Sequence, residues 1–151
     1  MRVCLGGTFY PLHKGHKALL RKAFQVAGSN GSVLIGVTSA AMVKKKGIHA
    51  SFKTRKQSLE RFLSEENIRT QVEIISLSDA YGPALEGDFD AIVVSPETKP
   101  IAEELNEKRR LLRKKPLQIV VVPFVLAEDN QPIRSSRIRR KEIDKNGFVL
   151  Q

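Results

Sequence analysis

Two histidines three residues apart follow a pair of glycines near the start of the chain. The glycines are Gly6 and Gly7, and the histidines are His13 and His16. A glycine pair lets the backbone approach a ligand with no Cβ in the way, and histidines at this spacing share one face of a helix. The unpaired N–H groups of a helix start and the positive end of its dipole suit phosphate oxygens. The segment therefore predicts a phosphate-handling site.

A metal site is the main alternative use for this histidine pair. A closed zinc site needs three or four protein ligands. The only other histidine is His49, and the only cysteine, Cys4, lies in an apolar stretch and is expected to be a small core residue. Two histidines do not complete such a site, so we predict no metal bound by the protein itself.

The spacing of apolar residues predicts the elements that position the histidines. Short apolar runs predict buried strands at residues 3–5, 32–37, 72–77, 91–94 and 118–122. Helical spacing predicts helices at residues 13–27 (closed by Gly28), 54–64, 100–115 and 135–141. Strands that alternate with helices predict an α/β fold. We expect a single doubly wound, Rossmann-like domain over residues 1–151, with a five-stranded parallel sheet and helices on both faces.

Two details of this pattern carry further expectations. The helix at 100–115 is expected to turn Ile101, Leu105, Leu111 and Leu112 toward the core. The polar segments 44–51 and 79–88 are expected to be the longest loops. Long loops in a compact domain often carry function.

The charge of the chain favours anionic partners. There are 26 Lys and Arg residues against 16 Asp and Glu, a formal net charge of +10. Such an excess attracts anions over long range, and nucleic acid is the commonest inference. The basic residues are spread over several patches, and the chain has no Trp, so a base-stacking platform is not evident. Charge alone leaves polyphosphate substrates and nucleic acid equally favoured.

The remaining bulk properties bear on location. No run approaches the ~18–20 apolar residues that cross a membrane. The first residues are strand-like, with no basic leader before a long apolar stretch. A single cysteine excludes an intrachain disulfide. We therefore expect a cytoplasmic protein without a membrane partner.

The segment from Gly6 to His16 is rarer as a whole than any of its pieces. It reads Gly6-Gly7-Thr8-Phe9-Tyr10-Pro11-Leu12-His13-Lys14-Gly15-His16. Its two ends, Gly-Gly-Thr-Phe and His-x-Gly-His, resemble the signature of the HxGH nucleotidyltransferase superfamily. That superfamily includes phosphopantetheine adenylyltransferases, nicotinamide mononucleotide adenylyltransferases and glycerol-3-phosphate cytidylyltransferases. The resemblance implies nucleotidyl transfer but does not name the acceptor.

A second run near the other end of the chain is similar to the superfamily's Ile-Ser-Ser-Thr-x-Ile-Arg signature. It reads Ile133-Arg134-Ser135-Ser136-Arg137-Ile138-Arg139. Arg134 replaces a Ser and Ser136 replaces a Thr, so no ligand role passes to Arg134. Ser135 or Ser136 can cap the short helix, and Arg139 can pair with polyphosphate oxygens. Without the first motif, this run would be an ordinary basic helix start or a nucleic-acid patch.

Between these motifs and just after the second, the chain is most similar to the archaeal and eukaryotic type of phosphopantetheine adenylyltransferase. The similarity rests on Val93-Val94-Ser95-Pro96-Glu97-Thr98, Leu105-Asn106-Glu107-Lys108-Arg109, Pro116-Leu117-Gln118-Ile119, Ala127-Glu128-Asp129 and Glu142-Ile143-Asp144. It implies transfer of AMP from ATP to 4′-phosphopantetheine, giving dephospho-coenzyme A and pyrophosphate. The alternatives are another superfamily enzyme, such as a nicotinamide mononucleotide adenylyltransferase, and a basic nucleic-acid-binding module, which would leave the first motif unexplained.

The resemblance also implies catalytic roles. His16 matches the residue that stabilises the α-phosphate region in the transition state, and His13 the residue that binds the phosphates of ATP beside it. Lys44, or a neighbour in 44–46, would pair with phosphates from a flexible loop, although a solvated loop is the plain alternative. Arg55 is a weaker candidate for the same task. Mg²⁺ is expected to accompany ATP, held mainly by its phosphates.

The wider binding set follows from the same match. Thr8 matches the residue that contacts the acceptor phosphate, and Phe9 the backbone that helps to seat the nucleotide. Ser95, Glu97 and Thr98 follow a strand near the expected adenine and ribose end, where a cap for the next helix is an equally good explanation. The full set is Gly6, Gly7, Thr8, Phe9, His13, Gly15, His16, Ser95, Glu97, Thr98, Ser135, Ser136 and Arg139. Coenzyme A is a candidate feedback ligand, and a monomer is favoured.

Overall fold

Runs of apolar and β-branched residues form the five strands of this structure, a computed structural model that describes residues 1–151. The strands are β1 (Arg2–Gly7), β2 (Ser32–Thr38), β3 (Gln71–Leu77), β4 (Ala91–Val94) and β5 (Gln118–Val121). They pair in parallel in the order β3-β2-β1-β4-β5. The chain leaves β1 toward one edge and returns to its other side, so the switch of strand order lies between β1 and β4. Ligands of open α/β sheets bind at this point, outside the carboxyl ends of the strands.

Five helices connect or follow these strands. They are α1 (Lys14–Ala27), α2 (Ala40–Lys44), α3 (Phe52–Glu65), α4 (Lys99–Leu111) and α5 (Ser135–Arg139). Gly28 closes α1 with a backbone φ of 77° and donates its N–H to the Phe24 carbonyl, as its position in the sequence predicts. None of the helices has the length and apolar character that a membrane span requires.

Alternate residues of the central strands pack into two separate cores. Val3 and Leu5 of β1 join the larger cluster with Leu20 of α1 and Leu59 of α3. Cys4, between them, packs on the opposite face against Leu105 of α4, among other residues. Because side chains of a strand alternate between faces, β1 is covered on both sides. The predicted doubly wound α/β fold with a five-stranded parallel sheet is confirmed.

Helix α4 differs from its prediction. It ends at Leu111 rather than Lys115, and Leu111 is 84% exposed. Arg113 takes a left-handed backbone (φ 59°), while the Lys114 N–H bonds the Arg109 carbonyl at 2.8 Å. This is the hydrogen bonding of a Schellman helix end, which usually has glycine at the left-handed residue. The prediction that Ile101, Leu111 and Leu112 face the core is wrong, because all three are exposed, and only Leu105 of that group is buried.

Two helix starts also differ from the predictions made from the sequence. The predicted loop from residue 44 begins at the end of α2, a short helix capped by Ser39, whose hydroxyl accepts the Met42 N–H. The N-cap of α5 is Arg134, with no capping side chain. The expectation that Ser135 or Ser136 caps α5 is therefore wrong, because both residues lie inside the helix.

Candidate active site

A cleft of about 620 Å³ opens at the carboxyl ends of the strands. Its walls come from the turn after β1, the start of α1, the end of β2, the loops after β3 and β4, and α5. Of the residues predicted for the site, those lining the cleft are Gly6, Gly7, Thr8, His13, Gly15, His16, Ser95, Glu97, Thr98, Ser135, Ser136 and Arg139. Phe9 and Lys44 do not line it. The cleft thus brings the two terminal sequence motifs together across the switch point.

His13 is the N-cap of α1, and its ring replaces the usual hydroxyl or carboxylate cap. Its Nδ1 accepts the backbone N–H of Gly15 at 3.0 Å and that of His16 at 3.4 Å. A Cβ on Gly15 would lie 2.8 Å from the His13 ring, so only glycine leaves room for this cap. The glycine of His-x-Gly-His therefore has a structural reason.

His16 returns the same bond. Its Nδ1 accepts the backbone N–H of His13 at 3.3 Å, which completes a capping box built from two imidazoles. The rings stack with 3.8 Å between centroids and 20° between planes. Because each Nδ1 accepts a hydrogen bond, a neutral ring carries its proton on Nε2. Each histidine can then act as a neutral hydrogen-bond donor.

Burial keeps both imidazoles neutral. It lowers the pKa of His13 from 6.5 to about 4. Burial, followed by the neighbouring His13, lowers the pKa of His16 to about 3, against an opposing contribution from the Pro11 carbonyl. At pH 7 neither ring is charged. The positive charge of the cleft must therefore come from other residues.

Phe9 is buried and packs beside His16. Its backbone φ is 51°, and its side chain is only 1% exposed. The ring lies 5.2 Å from the His16 ring, centroid to centroid. A Cβ on Gly7 would meet the Phe9 ring at 3.3 Å, which explains the second glycine of the motif. Phe9 thus contributes to the cleft by packing. The peptide bond between Tyr10 and Pro11 is cis.

Of the predicted lysines at positions 44–46, Lys44 and Lys46 are placed differently by the structure. Lys44 is the last residue of α2 and is exposed outside the cleft. Lys46, two residues further along, lines the cleft together with Thr38 and Ile48. The short helix α2, which was not predicted from the sequence, determines which of these lysines lines the cleft. Arg55 is fully buried behind Thr8 and Thr38 and does not reach the surface of the cleft.

The opposite wall joins the loop after β4 to α5. The Ser95 and Thr98 hydroxyls lie 3.1 Å apart, and Thr98 Oγ1 accepts the Ser95 N–H at 3.0 Å. Glu97 forms an ion pair with Arg134, whose guanidinium also lies 4.8 Å from the centroid of the Phe124 ring. Arg134, which stands where the signature has a Ser, thus links the two parts of this wall.

The rest of α5 divides its charges between two directions. Arg139 lines the cleft and donates to the Tyr10 carbonyl at 3.4 Å, which ties α5 to the first motif. Arg137 instead pairs with Asp129 and with Glu142. The second motif therefore sends one arginine to the cleft and fastens the C-terminal segment with another.

Thr38 and Tyr81 are among the cleft residues that were not predicted from the sequence. Thr38 ends β2, and the position of a polar residue at a strand's carboxyl end was a usable signal. The sequence could not show which lysine of 44–46 lines the cleft, because that depends on the position of α2. Tyr81 belongs to the predicted 79–88 loop, which forms a wall of the cleft through Asp79, Tyr81 and Ala84.

Comparisons with known proteins agree with this arrangement. Residues 4–141 match the profile of the cytidylyltransferase-like family. The chain is 46% identical over 147 residues to a phosphopantetheine adenylyltransferase of Methanosarcina mazei, covering 97% of this chain and 95% of the relative. It is 47% identical over 148 residues to a phosphopantetheine adenylyltransferase of Methanopyrus kandleri, covering 95% of this chain and 91% of the relative.

A solved structure shows the same fold. A crystal structure of a protein from Archaeoglobus fulgidus, described as of unknown function, superimposes with a TM-score of 0.74 at 38% sequence identity. The match covers 81% of this chain and 89% of that one. The fold is therefore shared with a protein of substantial sequence identity.

Proposed function

The chain belongs to the cytidylyltransferase-like family and, within it, to the phosphopantetheine adenylyltransferases, and we propose from this premise that it transfers AMP from ATP to 4′-phosphopantetheine. The products are dephospho-coenzyme A and pyrophosphate. One observation carries the proposal beyond family membership. The two motifs meet in one cleft, where a pair of neutral imidazoles at the start of α1 faces Ser135, Ser136 and Arg139 of α5.

The reaction needs no covalent enzyme intermediate. A phosphate oxygen of 4′-phosphopantetheine attacks the α-phosphorus of ATP, and the bond from that phosphorus to the oxygen bridging to the β-phosphate breaks. Pyrophosphate leaves with the bonding electron pair. The protein has to hold the two phosphates in line and stabilise charge on their oxygens. Cys4, the only thiol, is not a candidate nucleophile, since burial raises its pKa to about 12.

His13 and His16 are suited to stabilising charge on oxygen. Each Nδ1 is occupied by a backbone N–H, so Nε2 is the donor that remains. A neutral, preoriented donor need not lose a proton or reorganise as charge develops. We assign His16 to the α-phosphate and His13 to the adjoining phosphates of ATP. The stack of the two rings supports this, because it holds both donors at one end of α1.

The flanking walls divide the two substrates. Ser135, Ser136 and Arg139 line the cleft on α5, which the Arg134–Glu97 ion pair joins to the loop after β4, and we assign them to the ATP phosphates. Ser95, Glu97 and Thr98 follow β4, and we assign their wall to the adenosine end. Thr8, Thr38 and Lys46 lie on the β2 side, where the acceptor phosphate is proposed to bind.

We propose that ATP enters as its Mg²⁺ complex. The chain holds no cluster of three or more His, Cys, Asp or Glu side chains that could bind a metal ion. The proposed cation is held mainly by the ATP phosphates, which is how Mg²⁺ commonly reaches nucleotide sites. No reaction step is assigned to a metal ligand of the protein.

We also propose that the protein works in the cytoplasm as a monomer and that coenzyme A competes at this cleft. Support for competition is chemical, because coenzyme A contains the whole product. Light scattering after size-exclusion chromatography gives the mass of the assembly directly. Inhibition that ATP and 4′-phosphopantetheine relieve would place coenzyme A in the cleft, whereas unrelieved inhibition would place it elsewhere.

The acceptor assignment is tested by a panel of substrates. The protein is incubated with ATP and Mg²⁺ plus either 4′-phosphopantetheine or nicotinamide mononucleotide, and pyrophosphate and the adenylylated product are measured. Turnover of 4′-phosphopantetheine alone is expected. Turnover of nicotinamide mononucleotide alone would overturn the acceptor but keep nucleotidyl transfer. Thermal shifts with ATP and with an oligonucleotide distinguish nucleotidyl transfer to either acceptor from nucleic-acid binding, since a ligand of the folded state raises Tm.

A further inference from the structure

Arg55 is a buried cation without a counter-ion. It lies on α3, its side chain is 0% exposed, and no Asp or Glu lies within ion-pairing distance of it. Its partners are neutral oxygens: the Ala50 carbonyl at 3.3 Å, the Thr8 carbonyl at 3.2 Å and Thr38 Oγ1 at 3.2 Å. Its Nη2 has no partner. Burying a charge in this way is costly, so the position calls for an explanation.

The hydrogen bonds of Arg55 give a direction to two hydroxyl groups. Arg55 Nη1 can only donate, so Thr38 Oγ1 accepts this bond. The Thr38 hydroxyl proton is then directed to Thr8 Oγ1, 3.1 Å away. Thr8 Oγ1 accepts that bond and keeps its own proton for another acceptor. A chain of donors thus runs from Arg55 through Thr38 to Thr8.

This chain ends at the cleft. Thr8 and Thr38 line it, whereas Arg55 does not. Thr8 directly follows β1 and Thr38 ends β2, so both lie on the β2 side of the switch point. Lys46 lines the same side. A phosphate bound there would accept a hydrogen bond from the Thr8 hydroxyl. It would also lie near the positive charge of Arg55, which no carboxylate neutralises.

We propose that Arg55 is a positioning residue for the acceptor phosphate. Through Thr38 it fixes the Thr8 hydroxyl as a donor, and its buried charge strengthens the binding of a phosphate that it does not touch. This inference rests on the proposed function, because it takes 4′-phosphopantetheine as the acceptor. A purely structural Arg55 would hold the Ala50 and Thr8 carbonyls in place and would not distinguish a phosphorylated ligand from an unphosphorylated one.

Thr38 offers a matched pair of variants. Thr38→Val removes the relaying hydroxyl at similar volume and keeps Arg55, and Thr38→Ser keeps the hydroxyl. Calorimetry measures the dissociation constants of 4′-phosphopantetheine and of pantetheine, which lacks the phosphate. In Thr38→Val we expect the preference for the phosphorylated ligand to fall about tenfold or more, since hydrogen bonds to charged groups are the stronger ones. Thr38→Ser should restore most of that preference.

Kinetics provide a second readout. Thr38→Val should raise KM for 4′-phosphopantetheine more than KM for ATP, and Arg55→Gln, if it folds, should show the same split. Equal weakening of both ligands in Thr38→Val, or no change in either, would overturn the inference. Failure of the unmodified protein to use 4′-phosphopantetheine would instead overturn the proposed function, so the two failures are distinguishable.

Discussion

His13 and His16 hold one another through the backbone, since Nδ1 of each ring accepts the amide N–H of the other residue. The start of α1 is therefore satisfied by the side chains that also face the cleft. The same bonds place the remaining proton of each neutral ring on Nε2. Capping the helix and orienting the phosphate donors are one structural feature.

Replacing His16 separates these two tasks. Gln suits the third helical position of a capping box, so His16→Gln should stay folded while losing the oriented Nε2 donor. We expect kcat to fall on the order of 10²-fold or more, as for loss of a preoriented transition-state contact. Steady-state kinetics with circular dichroism as the folding control checks this. A folded variant with unchanged kcat would remove His16 from the transition state.

Acid should destabilise the protein through the same pair. The pKa of His13 is about 4 in the folded protein, against an ordinary value of 6.5. As pH falls below about 6.5 the unfolded chain binds protons that the folded site resists, so stability declines until about pH 4 through His13 and until about pH 3 through His16. His13→Asn keeps a cap acceptor and should show a smaller fall in Tm over that range. The exposed His49→Asn is the control and should follow the unmodified protein.

Lys46 and Lys44 form a natural comparison. Both belong to one basic loop, but only Lys46 lines the cleft. Lys46→Ala is expected to raise KM for an anionic substrate several-fold, and Lys44→Ala to change it much less, because exposed charges outside the cleft are screened by salt. Initial rates at fixed ionic strength measure both. A larger effect from Lys44→Ala would show that the loop changes direction when substrate binds.

Much of the fold follows from local signals in the sequence. Apolar runs such as Ala91–Val94 predict buried strands, and Gly28 marks the end of α1 because its backbone needs a positive φ. The end of α4 gave no such signal, since Arg113 takes the left-handed position that glycine usually fills. Arginine is usually a surface residue, so the burial of Arg55 could not be expected from its type.

The candidate site shows the same division. The place of the Gly6 to His16 motif in the fold could be predicted, because a strand end, two glycines and a helix start are all local features. Lys46, by contrast, is selected only by the tertiary path of α2, and the Glu97–Arg134 ion pair joins residues far apart in the chain. Contacts of that kind depend on how the elements pack, which residue spacing does not record.

Arg109 should matter for stability more than its surface neighbour. Its side chain is 2% exposed and donates to the carbonyls of Ala84, Gly87 and Lys115, so it holds one wall of the cleft. Arg109→Met removes the donor of the Ala84 and Lys115 carbonyls and should cost at least about 2 kcal/mol. Arg110→Met removes only an exposed pair with Glu107, worth about 0–1 kcal/mol. Equal unfolding free energies in urea would contradict this.

The position of the phosphate that is transferred tests the mechanism most directly. ATP labelled at the α-phosphate is incubated with Mg²⁺, 4′-phosphopantetheine and the protein, in parallel with ATP labelled at the γ-phosphate. Adenylyl transfer predicts that the α-label appears in dephospho-coenzyme A and the γ-label in pyrophosphate, in equal amounts. Appearance of the γ-label in the pantetheine product, or of the α-label in free AMP with none in dephospho-coenzyme A, would contradict adenylyl transfer to this acceptor.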